Sequence, residues 1–242
     1  MHDAQVHVYP DLEALSAAAA ERLVARATQA LAERDRFTLA LAGGSTPRPL
    51  YRLLAGPHRR RIPWERVHVF WGDERYVPPD DAASNYRMAR ETLLDRVPIP
   101  PANVHAMPTD RDAPADAAAA YETVLRDAFD DAATFDLILL GLGDDGHTAS
   151  LFPEDDRATL ADGALPWVRA VEAPPRYGVR PRLTLTLPAI NRARQAFFLV
   201  AGAAKRDALH AVLERRDPAL PPSHVRPRGS AAWFVDEAAR RE

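Results

Sequence analysis

The sequence predicts an α/β protein built on a mostly parallel central sheet with helices on both faces. Three observations carry this. Short apolar runs alternate with longer Ala/Leu-rich amphipathic stretches along the whole chain, the pattern of repeated βαβ units. Four of the apolar runs end in small or polar signatures, GGSTP, GDER, GLGDDGHTAS and AGAAKRD. No repeat or composition break divides the chain, so residues 1–242 are expected to form one domain.

The elements follow in order. Residues 6–9 read as a short strand. Asp11 is placed to cap a helix running to about residue 34. Residues 37–42 (FTLALA) form a strand, and GGSTP leads into a helix over 47–54. Residues 67–71 (VHVFW) form a strand followed by GDER, read as a charged loop. Ser84 is the expected N-cap of a helix over NYRMARETLLDRV. A short strand is expected at 104–107, a helix over about 115–132 and a buried strand at 135–140. Residues 154–166 are polar and loop-like. Residues 168–171 and 182–187 are strands, the second (RLTLTL) alternating as if one face met solvent. Residues 196–201 form a buried strand, 203–214 a helix, 215–229 a Pro- and Arg-rich connection, and 233–235 a last strand.

Composition excludes several functions. Hydrophobic content of 47% and charged content of 27% belong to a globular protein. The net charge of −3 argues against a nucleic-acid or anionic-membrane surface. With no cysteine, disulfides, thiolate catalysis and Cys-based zinc sites are excluded. No apolar run approaches the ~20 residues of a membrane span, and the N-terminus carries no secretory pattern, so the cytoplasm is the expected location. The histidines show no metal-ligand spacing and no metal is expected. Of 31 Lys plus Arg, only Lys205 is lysine. Its retention in an Arg-biased chain marks a site candidate, with a solvated helix residue as the alternative.

In a parallel sheet all strands end at one edge, so the four signatures converge on one cleft. Gly43 and Gly44 let backbone N–H groups approach a ligand, Ser45 and Thr46 add hydroxyls, and a helix start favours an anion. The alternative is an ordinary capped turn. Arg75 is a bidentate phosphate ligand and Asp73 a proton carrier or orienting group, unless GDER is only an exposed charged loop. Residues 141–146 match GxGxxG, but the match is mid-chain and Asp144 and Asp145 would repel a pyrophosphate, so a dinucleotide is rejected. His147, in a Gly-rich strand end beside Thr148, is the general-base candidate. A structural histidine is the alternative. Lys205 and Arg206 open a helix, where cations oppose the dipole and a bound anion removes the conflict. Arg182 is a further clamp candidate. Arg176 and Arg180, in the loop before it, are additional clamp candidates, with surface charge the favoured reading.

The segments LALAGGSTPRPLY (39–51), WGDERYVPPDDAASNYRMARETLL (71–94), ILLGLGDDGHTASLFP (138–153), RLTLTLPAIN (182–191) and FLVAGAAKRDAL (198–209) together resemble the glucosamine-6-phosphate isomerase/6-phosphogluconolactonase family. The resemblance runs over roughly residues 6–239. Asp73-Glu74-Arg75 and DGHTASLFP (145–153) are similar to its lactonase branch, where the deaminase branch has DEY and DGHIAFNEP. After Phe152-Pro153 the family often continues with Gly, and this chain has Glu154. The resemblance implies a Rossmann-like three-layer α/β/α fold related to the ribose-5-phosphate isomerase/CoA-transferase-like folds. It implies hydrolysis of 6-phospho-D-glucono-1,5-lactone without cofactor, with a sugar-phosphate lactone as the only partner.

In that reading His147 activates water and a carboxylate, Asp73 or Asp145, orients it. Backbone N–H groups of Gly43 and Gly44 or of the 141–143 turn, Gly143 included, meet the oxyanion. Arg75, Arg182 and Lys205 hold the phosphate with Ser45 and Thr46. The rivals are a sugar-phosphate isomerase or deaminase with Asp73 as proton carrier, and a non-catalytic sugar-phosphate sensor. Oligomeric state is open, a monomer being favoured.

Overall fold

The computed structural model describes residues 5–129, 135–161 and 165–240. Six strands form one wholly parallel sheet: β1 (Gln5–Tyr9), β2 (Phe37–Leu41), β3 (Val67–Trp71), β5 (Leu137–Gly141), β8 (Gln195–Val200) and β9 (Ser230–Asp236), in the spatial order β1-β9-β8-β5-β2-β3. Three others form a separate antiparallel sheet in the order β4-β7-β6: β4 (Asp73–Arg75), β6 (Val168–Glu172) and β7 (Pro181–Leu185). The helices are α1 (Leu12–Glu33), α2 (Arg48–Ala55), α3 (Asn85–Thr92), α4 (Pro114–Ala128), the short α5 (Leu187–Ile190) and α6 (Arg206–Leu213).

Strand order explains where a ligand can sit. From β2 the chain moves outward to β3; from β5 it moves the other way, to β8 and then β9. Right-handed crossovers in opposite directions put α2 and α6 on opposite faces of the sheet. The order reverses between β2 and β5, and the loops leaving them part to open a crevice at the carboxyl edge.

Local chemistry sets the elements. Asp11 caps α1, its Oδ1 accepting from the Ala14 N–H at 2.8 Å. The α1 face bearing Leu15, Ala19, Ala20, Leu23, Val24 and Ala27 is buried. Strand β2 is buried at every position and β5 at all but its last, as continuous apolar runs between two helical layers must be. Asp136 locks these strands at their start. Its Oδ2 accepts from the Thr38 N–H at 2.9 Å, and its Oδ1 pairs with Arg34 at 3.0 Å and Arg194 at 3.3 Å. Tyr51 of α2 is fully buried, and its hydroxyl accepts from the Ala42 N–H at 3.0 Å and donates to the Ala42 carbonyl at 2.8 Å. That bond pair fixes the exit of β2.

The structure departs from the sequence reading in four places. The DER triplet is not a loop but strand β4. Gly72 makes this possible: its N–H donates to the Leu41 carbonyl in the large sheet at 2.9 Å, and its carbonyl accepts from the Leu185 N–H in the small sheet at 2.8 Å. Strand β7 has no solvated face, since residues 182–185 are all buried under α4 and its neighbours. The expected strand at 104–107 is a single bridge between Val104 and Val69, after which the chain turns away. Helix α4 stops at Ala128 because Phe129 goes extended to pack its ring 5.1 Å from both Phe70 and Phe135; the rest of the expected helix, 130–132, lies outside the described residues.

Replacing Tyr51 by Phe leaves both polar groups of Ala42 unpaired in the core. We expect about 1–3 kcal/mol lower stability in urea unfolding, with the fold retained.

Candidate active site

The crevice between β2 and β5 is a cavity of about 280 Å³. Its floor is the end of β5, and its walls come from the loops after β2, β5 and β8 and from the small sheet. Eleven of the twelve residues expected at a site line it: Gly43, Gly44, Ser45 and Thr46; Asp73 and Arg75; Gly143, His147 and Thr148; Arg182; and Lys205. The twelfth, Asp145, stands behind His147.

The β5 loop is built around one imidazole. Asp145 Oδ1 lies 2.6 Å from His147 Nδ1 and also accepts the His147 backbone N–H at 3.1 Å. Gly143 allows this packing, because a Cβ there would fall 2.1 Å from His147 Nδ1 and 2.4 Å from Asp145 Oδ1. The Gly143 N–H donates to the His147 carbonyl at 2.8 Å, and the Thr148 hydroxyl donates to the Gly141 carbonyl at 2.8 Å. Thr148 is fully buried and braces the loop, so its hydroxyl is not a free ligand contact. Ala149, on the cavity wall, is held at φ 49°, a conformation that only surrounding structure can impose on an alanine.

Burial opposes the charge on Asp145, but bonds from His147, Arg176 and Tyr177 outweigh it and hold its carboxyl far below the usual carboxylate range. An ionised Asp145 only accepts, so a neutral His147 carries its proton on Nδ1 and leaves Nε2 as the basic atom. Of the two carboxylates expected as orienting groups, Asp145 is the one that touches His147. Asp73 touches other groups: its Oδ2 accepts from Ser150 Oγ at 2.7 Å, and its carbonyl accepts from Asn85 Nδ2 at 2.9 Å.

The same cavity carries a cationic group. Arg75 and Arg182 are direct cross-strand partners in the β4–β7 ladder, so both side chains share the face over the cavity. Arg75 donates from Nη1 to the Ala83 carbonyl at 2.6 Å, and Arg182 from Nε to the Val179 carbonyl at 2.8 Å. Among the described residues neither forms an ion pair with a carboxylate, and nor does Lys205. Burial first, then the neighbouring Arg75 charge, pushes the Arg182 guanidinium down from its ordinary value. Two apposed, half-desolvated guanidiniums suit an anion between them. The N–H groups of Gly44, Ser45 and Thr46, leading into α2, have no hydrogen-bond partner among the described residues. Gly44 sits at φ 86°, which turns this segment toward the cavity. Gly143 has committed its N–H to the His147 carbonyl, whereas the Gly44 N–H has no such partner among the described residues.

A family model described as glucosamine-6-phosphate isomerases/6-phosphogluconolactonase matches residues 10–233. The chain belongs to that family. It is 47% identical over 241 residues to a 6-phosphogluconolactonase of Synechocystis sp., covering 97% of this chain and 96% of that one. It is 41% identical over 242 residues to a 6-phosphogluconolactonase of Mycobacterium tuberculosis, at 97% and 96% coverage. Its structure superposes on that of a 6-phosphogluconolactonase from Thermotoga maritima with a TM-score of 0.84 and 33% identity, covering 97% of this chain and all 100% of the other. Glucosamine-6-phosphate isomerase/6-phosphogluconolactonase architecture therefore extends over the sheet, the cavity and the loops that line it.

Four residues of this family member escaped the sequence reading. Glu74 is buried and accepts from the N–H groups of Arg75, Asn85 and Tyr86, each at 2.7 Å, joining β4 to the start of α3. Burial pushes its carboxyl up, and those three N–H groups pull it back. Asn85 lines the cavity against Gly43, where a Cβ would meet its Oδ1 at 2.0 Å. Arg176, read as surface charge, donates to Asp145 Oδ2 and, at 2.8 Å, to Glu154 Oε1. Tyr177 packs edge-on against His147 with ring centres 5.1 Å apart. A strand of three residues and a loop arginine in an Arg-rich chain have no periodic signal, so only the fold reveals them.

The depressed Asp145 carboxyl fixes the sign of a stability effect. A carboxylate whose folded pKa lies below its unfolded value stabilises above the unfolded value, about 3.8, and loses that contribution as pH falls toward the folded one. The difference in urea-unfolding free energy between wild type and Asp145→Asn should be greatest near neutrality and shrink steadily below pH of about 3.8. A constant difference across that range would contradict it.

Proposed function

We propose that this protein hydrolyses 6-phospho-D-glucono-1,5-lactone to 6-phospho-D-gluconate, the second step of the oxidative pentose phosphate pathway. One observation carries the reading. A carboxylate-oriented histidine, His147 on Asp145 at 2.6 Å, lines the same cavity as Arg75, Arg182 and Lys205, which have no carboxylate partner among the described residues. A base and an anion clamp lining one sugar-sized cavity fit a phosphorylated lactone. The relatives named 6-phosphogluconolactonase support the same substrate.

The steps balance with water alone. The 6-phosphate docks on Arg75, Arg182 and Lys205 with the Ser45 and Thr46 hydroxyls, which places the C1 carbonyl at His147. Nε2 takes a proton from water as its oxygen bonds to C1. The carbonyl oxygen becomes an oxyanion and meets the Gly43 and Gly44 amides. Asp145 steadies the imidazolium through Nδ1–H. The intermediate collapses, the bond from C1 to the ring oxygen breaks, and that oxygen takes the proton back from Nε2. The product is a gluconate with a free hydroxyl and a carboxyl that ionises in water. Asp73, on the cavity wall and bonded to Ser150, helps to orient the substrate's hydroxyls.

His147→Ala should lower kcat by about 100-fold to 10,000-fold over the spontaneous background while 6-phosphogluconate still binds. Near-normal turnover of freshly generated lactone by that variant sinks the base assignment. Ammonia release from glucosamine 6-phosphate should be absent. Lys205→Ala should raise KM with kcat little changed; a loss confined to kcat would remove Lys205 from the phosphate clamp.

A further inference from the structure

The segment 174–180 reaches back to the imidazole. Arg176 Nη2 donates both to Asp145 Oδ2 and to Glu154 Oε1, and its guanidinium carbon lies 4.9 Å from the centre of the Tyr177 ring. The Tyr177 hydroxyl lies 3.2 Å from His147 Nδ1 and 3.4 Å from Asp144 Oδ1, and Phe152 closes the other side with ring centres 4.9 Å from His147. We propose that Arg176 is a positioning residue for the reaction, acting on His147 through Asp145, with Glu154 holding its guanidinium in place. The proposal rests on His147 being the base that acts on the lactone.

The Arg176 side chain is 46% exposed, and an exposed ion pair on its own contributes little. This one differs in what it grips. Asp145 has two oxygens with two tasks: Oδ1 holds His147, and Oδ2 is held by Arg176. With Oδ2 tethered, the carboxylate cannot rotate away from Nδ1, and Nε2 keeps its aim into the cavity. The same contact adjusts charge. An Asp145 without Arg176 presents its whole negative charge to His147 and favours the imidazolium, which is inert as a base. The charged groups beside the imidazole are Asp144, Asp145, Glu154 and Arg176, with Tyr177 kept neutral by burial first and then by Asp145. Asp73, Arg75, Arg182 and Lys205 line the same cavity. Removing Arg176 takes away the cation in contact with Asp145, so the balance at His147 shifts toward negative.

Arg176→Ala and Arg176→Lys, each in wild type and in Asp145→Asn, test this with two readouts: steady-state kinetics on fresh lactone, and NMR titration of the His147 ring protons in the free protein. For Arg176→Ala in wild type we expect kcat to fall about tenfold with KM within about twofold, and the ring titration to move to higher pH. Arg176→Lys, which keeps the charge but not the fork, should fall between the two. In Asp145→Asn, the further change Arg176→Ala should alter kcat by less than about twofold. An equal loss in both backgrounds, a loss carried by KM, or an unmoved titration overturns the proposal. If wild type shows no turnover above spontaneous hydrolysis, the lactonase reading fails, and the NMR titration still decides whether Arg176 acts on His147.

Discussion

The site depends on one residue shared between two sheets. Gly72 gives its N–H to β2 of the large sheet and its carbonyl to β7 of the small one. Strand β3 therefore cannot end without starting β4, and the chain changes sheets in a single residue. Alternation along β4 then distributes its three side chains. Asp73 and Arg75 line the cavity, while the intervening Glu74 turns into the start of α3 and gathers its N–H groups. The β4–β7 register sets Arg75 opposite Arg182. An anion wall thus stands over the point where the order of the parallel strands reverses, although no strand of the parallel sheet carries it.

The cationic side chains and the histidine of the cavity are carried by different material. Arg75 and Arg182 are long side chains on a short antiparallel sheet, and Lys205 stands at a helix start. His147 sits on a loop of small residues with crossed internal bonds: Gly143 to His147, Thr148 to Gly141, and the bridge between Thr148 and Leu151. Such bracing is what permits Ala149 a left-handed backbone on the cavity wall. A rigid loop matters for a general base, because misplacing it by an ångström costs far more rate than binding.

The parallel sheet was legible because buried strands of this kind are plain apolar runs, and the convergence of GGSTP, GLGDDGHTAS and AGAAKRD follows from all such strands ending together. The small sheet was not. A strand of three charged residues has no hydrophobic period, and its pairing with residues 181–185 depends on the Gly72 joint. Local spacing placed His147 at the cavity but could not choose between Asp73 and Asp145, since one is two residues away and the other comes from a different strand end. The oxyanion donors were undecidable for the same reason: that the Gly143 N–H is already bonded to the His147 carbonyl is a fact of loop geometry. Arg176 was hidden by composition, as one arginine among many carries no mark of its partner.

The apposition of Arg75 and Arg182 has a thermodynamic side. Like charges directly opposite across a ladder destabilise it, and here both are partly removed from water. An anion bound between them would relieve that repulsion. Folding and ligand occupancy become linked quantities: ligand at a hundred times its dissociation constant adds about 2.7 kcal/mol to the folded state. An anion seated between the two guanidiniums would thus be felt throughout the fold, as added resistance to unfolding.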